Sequence, residues 1–144
     1  MPCDFHTKRR IEFADTDMAG IVHFARFFVF METAEHEFLR SLSTSVAAKL
    51  DNLQLGWPRL AAACEYLSPV KFEEVLDIHL MVARKGNKSM TYKFEFQRGE
   101  ALIARGQVSA ACCIVSPEGK LKAIPIPDFM AEQIQEAPLG EDRK

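Results

Sequence analysis

The chain has 144 residues, 48% of them hydrophobic and 26% charged, with a formal net charge of −2. That composition is ordinary for one globular domain, and a chain of this length buries roughly two-thirds of its unfolded surface, enough for a core without staples. A near-neutral chain with no long Lys or Arg run is a poor sequence-independent nucleic-acid binder, and nothing approaches the ~20 consecutive apolar residues of a membrane span.

Residues 1–10 show no apolar stretch behind a basic start, so they do not read as a secretory signal. Residues 8–13 alternate, with Ile11 and Phe13 on one side and Arg10 and Glu12 on the other, which predicts a short strand. Turn formers follow in Ala14-Asp15-Thr16-Asp17-Met18-Ala19-Gly20. From Phe24 the period changes. Phe24, Phe27, Phe28, Met31, Phe38, Leu39 and Leu42 recur at helical spacing and predict an amphipathic helix of about five turns. Phe30 lies off that stripe and points to burial on more than one side. Residues 44–50 suggest a short second helix, ended by Asp51, Asn52 and Gly56.

Beyond Pro58 the period returns to two. Leu60 to Tyr66, Leu76 to Ala83, Met90 to Gln97 and Leu102 to Val115 read as four strands, the last three joined by turns at 84–88 and 98–100. Pro127 opens a final short helix carrying Phe129, Met130 and Ile134. Short turns between consecutive strands impose antiparallel neighbours. The expectation is therefore an α+β domain over residues 1–135, an antiparallel sheet of five or six strands wrapped around one long helix, with a polar tail at 136–144. Cys3, Cys64, Cys112 and Cys113 form no Cys-x-x-Cys pair. Cys112 and Cys113, as strand neighbours, should face opposite ways. Buried free thiols in the cytoplasm fit better than disulfides or a zinc site.

The informative segment runs from Asp15 to Phe24, between a strand and the aromatic helix. A helix start presents unpaired N–H groups and the positive end of the dipole, which can hold a developing oxyanion. A carboxylate beside it could attack a carbonyl carbon or activate a water that does. Asp17 suits that role and equally suits a turn or cap; Gly20 lets the chain turn tightly. Asp15, Asp17 and Gly20 also echo the first, third and sixth positions of a calcium loop, but Ala19 and Arg26 occupy the fifth and twelfth, and the echo fails. Glu35, on the apolar helix stripe, is a second carboxylate candidate; the i+4 residue is Leu39, so its own helix offers no basic partner there. Its plainer reading is a carboxylate bonded to the sheet or reaching solvent.

Ile11-Glu12-Phe13-Ala14-Asp15-Thr16-Asp17-Met18-Ala19-Gly20-Ile21-Val22 resembles the signature of the 4-hydroxybenzoyl-CoA thioesterase family. Glu65 to Phe72, Glu74 to Leu76, Lys88-Ser89 and Ile124 to Pro127 resemble later family segments in the same order, so the likeness spans roughly residues 8–130. The resemblance implies a hotdog fold, a homodimer often paired into a tetramer, and hydrolysis of an acyl-CoA or acyl-carrier thioester. It implies no metal or redox cofactor, CoA being part of the substrate. By the same resemblance Asp17 is the catalytic carboxylate, as nucleophile or general base. The Phe24 N–H polarises the thioester carbonyl and Gly20 is the motif glycine. His23 is either a catalytic neighbour or a wall residue. Arg84, Lys85, Lys88 and Ser89 fall where relatives hold CoA phosphates, a task suited to such groups, and equally read as a solvated turn. A non-catalytic acyl-CoA-binding protein and a hydroxyacyl-thioester dehydratase are the rival functions. The run Ala61-Ala62-Ala63 suggests room for a bulky or ring-shaped acyl group.

Overall fold

The computed structural model describes residues 2–138; Met1 and the end of the expected polar tail, residues 139–144, lie outside the described residues. The chain begins with β1 (Asp4–Arg10), a 3-10 turn (Phe13–Asp15) and the long helix α1 (Arg26–Ser41). Two short strands follow, β2 (Lys49–Leu50) and β3 (Leu53–Gly56), then β4 (Arg59–Tyr66), β5 (Val75–Lys85), β6 (Ser89–Arg98) and β7 (Ala101–Ala111). The chain ends with β8 (Cys113–Val115), β9 (Leu121–Ala123) and the short helix α2 (Asp128–Ala131). The main sheet is antiparallel in the order β1-β5-β6-β7-β4, and β2-β3-β8-β9 form a second, smaller sheet.

The alternation expected for β5 and β6 is what buries them. Leu76, Ile78, Leu80 and Val82 face inward beside Met90, Tyr92, Phe94 and Phe96, all buried, while Asp77, His79, Lys93 and Glu95 occupy the outer face. The helix lies across that inner face. Phe27, Phe30, Met31, Ala34, Phe38 and Leu39 are its buried residues, and Phe27 meets Phe96 edge-on at 5.3 Å while Phe38 meets Tyr92 at 6.2 Å. Phe30, off the main stripe, is fully buried because β1 covers it: the Arg9 guanidinium sits 4.9 Å from its ring centroid.

Three expectations need correction. Phe13 is not a strand residue; the strand ends at Arg10, and Phe13 lies exposed on the 3-10 turn against Phe72 at 6.0 Å. Residues 44–50 are not a helix. Ser43 takes a positive φ at the end of α1, and Asp51 and Asn52, both with positive φ, make a tight hairpin that pairs β2 with β3. Leu102 to Val115 is not one strand, because the Cys112 N–H leaves the sheet to donate to Lys88 O, and the chain crosses into the second sheet. Cys112 and Cys113 are both buried, as expected of free thiols. All four cysteines are free, and burial pushes the Cys112 thiol up to about 11.

Gly106 on β7 sets how closely the helix approaches. A Cβ there would meet the Met31 Sδ and Cε, the former well inside contact distance. Met31 is fully buried and has nowhere to go. Gly106→Val should therefore cost about 1–3 kcal/mol by overpacking, read as a lower midpoint in urea unfolding, and Met31→Ala should recover part of the loss in the double variant.

Candidate active site

The chain from Asp15 to Phe24 folds back on itself before the helix begins. Asp17 N–H donates to Ile21 O at 2.9 Å, Gly20 N–H donates to Asp17 O at 3.0 Å, and Thr16 bridges Val22. Gly20 closes the turn with φ of 82°, a conformation L side chains rarely adopt. The Val22 N–H then donates to Val70 O, tying the loop to the segment before β5.

What holds this loop to the helix is Asp15, whose carboxylate is completely buried. It accepts the Glu12 N–H at 2.8 Å, Arg26 through Nε and Nη2 at 2.9 and 2.7 Å, and Arg9 at 3.3 Å. Its own carbonyl accepts the His23 N–H at 2.8 Å. One carboxylate thus joins β1, the 3-10 turn and the first residue of α1. Burial works to raise its pKa, but the Glu12 N–H and the two guanidinium groups outweigh burial and hold it below the usual carboxylate value.

Asp17, by contrast, is only half-buried. One carboxylate oxygen accepts the Ala19 N–H at 2.8 Å, an Asx turn that aims the group, and the carboxylate borders a cleft of about 450 Å³. Ile21, Val22, Phe24, Phe27, Tyr66 and the Leu67–Val70 segment line the rest. Tyr66 donates its hydroxyl to Phe24 O at 2.9 Å, so β4 pins the chain two residues before the helix. The Phe24 N–H has no acceptor among the described residues. The cleft is therefore bordered by Asp17 and by Phe24, whose N–H is unpaired two residues ahead of α1, against an apolar wall.

His23 serves the same turn. Its Nδ1 accepts the Ala25 N–H at 3.1 Å and its ring stacks on Phe24 at 4.7 Å, which leaves Nε2 to carry the proton of the neutral ring. Asp17, Gly20, His23 and Phe24 are thus brought together. Arg84, Lys85, Lys88 and Ser89 lie at the far end of β5 and start of β6, and β5 alone spans roughly 33 Å at ~3.3 Å per residue. Lys85 is committed: its ammonium donates to Ala131 O and Ile134 O at 2.8 and 2.7 Å and anchors the segment around α2. Arg84 and Lys88 are exposed and Ser89 is half-buried. Glu35 is 2% exposed and meets Arg59 of β4 through both oxygens, at 3.0 and 2.6 Å. Sequence reading passed over Asp15, Arg26 and Tyr66. The arginines at 9 and 26, on either side of Asp15 in the chain, are the available signal.

The Asp15 network gives the fold an acid limit. A group whose folded pKa is depressed contributes stability above its unfolded value, here near 3.8, and loses it as pH falls through the folded value. Thermal unfolding followed from pH 7 to pH 2 should show a steep loss below about pH 4. Asp15→Asn should remove part of that slope and cost roughly 3 kcal/mol at pH 7, as breaking a buried charged network does.

The chain has relatives of known sequence and structure. The sequence profile of the thioesterase-like superfamily matches residues 11–134. An acyl-CoA thioesterase of Haemophilus influenzae is 26% identical over 118 residues, covering 82% of this chain and 85% of the relative. A 1,4-dihydroxy-2-naphthoyl-CoA hydrolase of Nostoc punctiforme is 24% identical over 131 residues, covering 91% and 86%. Among solved structures, a gentisyl-coenzyme A thioesterase superposes with a TM-score of 0.77 at 25% identity, over 89% of this chain and 98% of that one. A 1,4-dihydroxy-2-naphthoyl-CoA thioesterase from Synechocystis gives 0.78 at 25% identity, over 89% and 93%. A long helix cradled by a five-stranded antiparallel sheet, with the profile matching almost end to end, makes this chain a hotdog-fold member of the thioesterase-like superfamily.

Proposed function

We propose that the protein hydrolyses an acyl-CoA thioester to the free acid and CoA, with Asp17 as the reacting carboxylate and the Phe24 N–H as the oxyanion donor. The observation that carries the reading is the unpaired N–H of Phe24, two residues ahead of α1, on a residue that lines the same cleft as Asp17. As the carbonyl carbon becomes tetrahedral, its oxygen gains charge that this N–H and the helix dipole stabilise. Two routes balance. In one, Asp17 takes a proton from water, the hydroxyl adds to the carbonyl, and the C–S bond breaks to release the CoA thiolate, which takes up a proton. In the other, Asp17 attacks directly, expels the thiolate and forms an anhydride that water opens. The aromatic wall and the names of the naphthoyl and gentisyl relatives favour a ring-bearing acyl group. His23 holds the turn and Gly20 shapes it; no metal or redox group enters the scheme. Four free thiols suit the cytoplasm, and no helix among the described residues is long and apolar enough to cross a membrane.

Asp17→Asn should lower CoA release from aryl-CoA thioesters by ~100-fold or more without abolishing binding. Single-turnover hydrolysis in heavy-oxygen water should place the label in the Asp17 carboxylate if Asp17 is the nucleophile and water opens the anhydride at the Asp17 carbonyl. The base route labels only the product, as does opening at the acyl carbonyl, so label in Asp17 is the outcome that decides for the nucleophile. A wild-type protein that binds these thioesters yet releases no CoA would instead be an acyl-CoA-binding protein.

Use of the basic end of the sheet in the same reaction requires a second subunit. β4 is an edge strand, with Tyr66 beside the cleft and Arg59 at the opposite end, near Ser89, which pairs with Ala111. Antiparallel pairing of β4 with its own copy brings the partner's basic end beside this chain's Asp17 end, and two such dimers can associate as a tetramer. Arg84 and Lys88 then reach CoA phosphates from across the dimer. The double variant Arg84→Ala/Lys88→Ala and the Asp17→Asn variant should each be poor enzymes alone. Mixed after subunit exchange, they should recover about a quarter of wild-type activity, because half the dimers are mixed and each of those has one intact site. No recovery, with mixed dimers present by mass, rules out the shared site.

A further inference from the structure

The outer face of the sheet carries a second cluster, at the end of β1 remote from the cleft. The register places His6 directly opposite His79 of β5, with Asp4 two residues earlier on the same face. The two imidazole rings stack with centroids 4.0 Å apart and an interplanar angle of 8°. Both aim a nitrogen at one carboxylate oxygen: His79 Nε2 lies 2.9 Å and His6 Nε2 lies 3.7 Å from Asp4 Oδ2. The three ligand atoms all fall within 4.8 Å of one another. The next rung along the same strand pair is an ordinary ion pair, Lys8 with Asp77 at 3.2 Å.

We propose that Asp4, His6 and His79 form a binding site for one first-row divalent cation, Zn²⁺ foremost. Ligands at about 2.0–2.2 Å from a tetrahedral ion stand roughly 3.3–3.5 Å from one another, and the Asp4–His6 and Asp4–His79 separations bracket that range. The rings, now parallel, must turn slightly to converge, and the terminal torsion of His is soft enough to allow it. Two imidazoles and one carboxylate suit Zn²⁺, Ni²⁺ or Cu²⁺ and not Ca²⁺ or Mg²⁺. All three side chains are accessible, at 45% for Asp4, 71% for His6 and 28% for His79, so the ion has an entry path and water can fill its remaining positions. The register also sets Glu95 of β6 beside His79 on this face, a carboxylate one strand further in.

The position gives the ion a structural task. β1 is the edge strand opposite β4, so pairing of subunits through β4 leaves the cluster uncovered. The Pro2 carbonyl accepts the Gln135 N–H, and the Val82 carbonyl accepts the Ala137 N–H. An ion linking β1 to β5 here staples the corner where both described ends of the chain meet the sheet. Because it binds the folded pairing and not the unfolded chain, it should raise Tm.

The test uses the full chain stripped with EDTA and titrated with ZnCl₂ by calorimetry, with MgCl₂ as the control cation. One Zn²⁺ per chain, no Mg²⁺ binding and a Tm rise of several degrees at saturation are expected. His6→Gln/His79→Gln should weaken Zn²⁺ at least tenfold and abolish the Tm rise, while thioester hydrolysis stays at the wild-type rate. Cys3→Ser, next to Asp4 in the chain, should leave Zn²⁺ binding intact. Zn²⁺ affinity that changes less than tenfold in the histidine double variant, or is lost in Cys3→Ser, overturns the assignment.

Discussion

A buried carboxylate between two arginines is the constraint from which the rest of this site follows. Asp15 alone would be costly to bury, and only the combination of Arg9, Arg26 and the Glu12 N–H makes its position tolerable. Each partner belongs to a different piece of chain: Arg9 to β1, Glu12 to the entry of the 3-10 turn, Arg26 to the first residue of α1. Satisfying one side chain therefore fixes the strand, the loop and the helix start relative to one another. The Phe24 N–H points where it does because His23 is bonded to Asp15 on one side and Tyr66 holds the Phe24 carbonyl on the other. Preorganised donors of this kind need no rearrangement when charge develops.

The two aspartates of the motif divide the work by environment. Asp15 is dry, surrounded by cations and held ionised. Asp17, two residues on, is half in solvent, and the one hydrogen bond its carboxylate accepts among the described residues comes from its own turn. A carboxylate that neutralises two guanidinium groups has little left for substrate. One that has a single oriented oxygen bonded and the rest directed at a cleft can act on what binds there. Glu35 falls on the first side of that division. Its two oxygens are engaged by Arg59, and its burial without that partner would be prohibitive.

Much of this was legible in the chain. Alternation over β5 and β6 and the aromatic period of α1 each follow from a side chain's need to leave water on one face, and such patterns survive without tertiary context. The loop motif identified Asp17, Gly20, His23 and Phe24 as neighbours because they are close in sequence. What could not be read depended on partners far along the chain. Arg59 reaches Glu35 only because a bulge between Arg59 and Ala61 shifts the strand's parity; without it Arg59 would face outward with Ala61 and Ala63. The 44–50 segment has helix-compatible residues, but Ser43, Asp51 and Asn52 adopt positive φ and turn it into a hairpin. Nothing local marks Cys112 as the point where a strand changes sheets; the deciding bond comes from Lys88.

The same logic bears on why the site is split lengthwise. An antiparallel sheet one helix wide has two ends, and a chain that turns at both distributes its loops between them. The acid, the helix start and Tyr66 sit at one end; Arg84, Lys88 and Ser89 sit at the other. A monomer cannot bring those ends together, because β5 is a stiff rod between them. The cleft beside Asp17 is also open on the side of β4, whose Leu60 and Tyr66 remain exposed. Two-fold pairing along that edge addresses both defects at once. It covers the apolar edge and places a basic end beside an acidic one. The separation of the two ends along a single chain is therefore the physical argument behind the proposal that the site is shared by a pair.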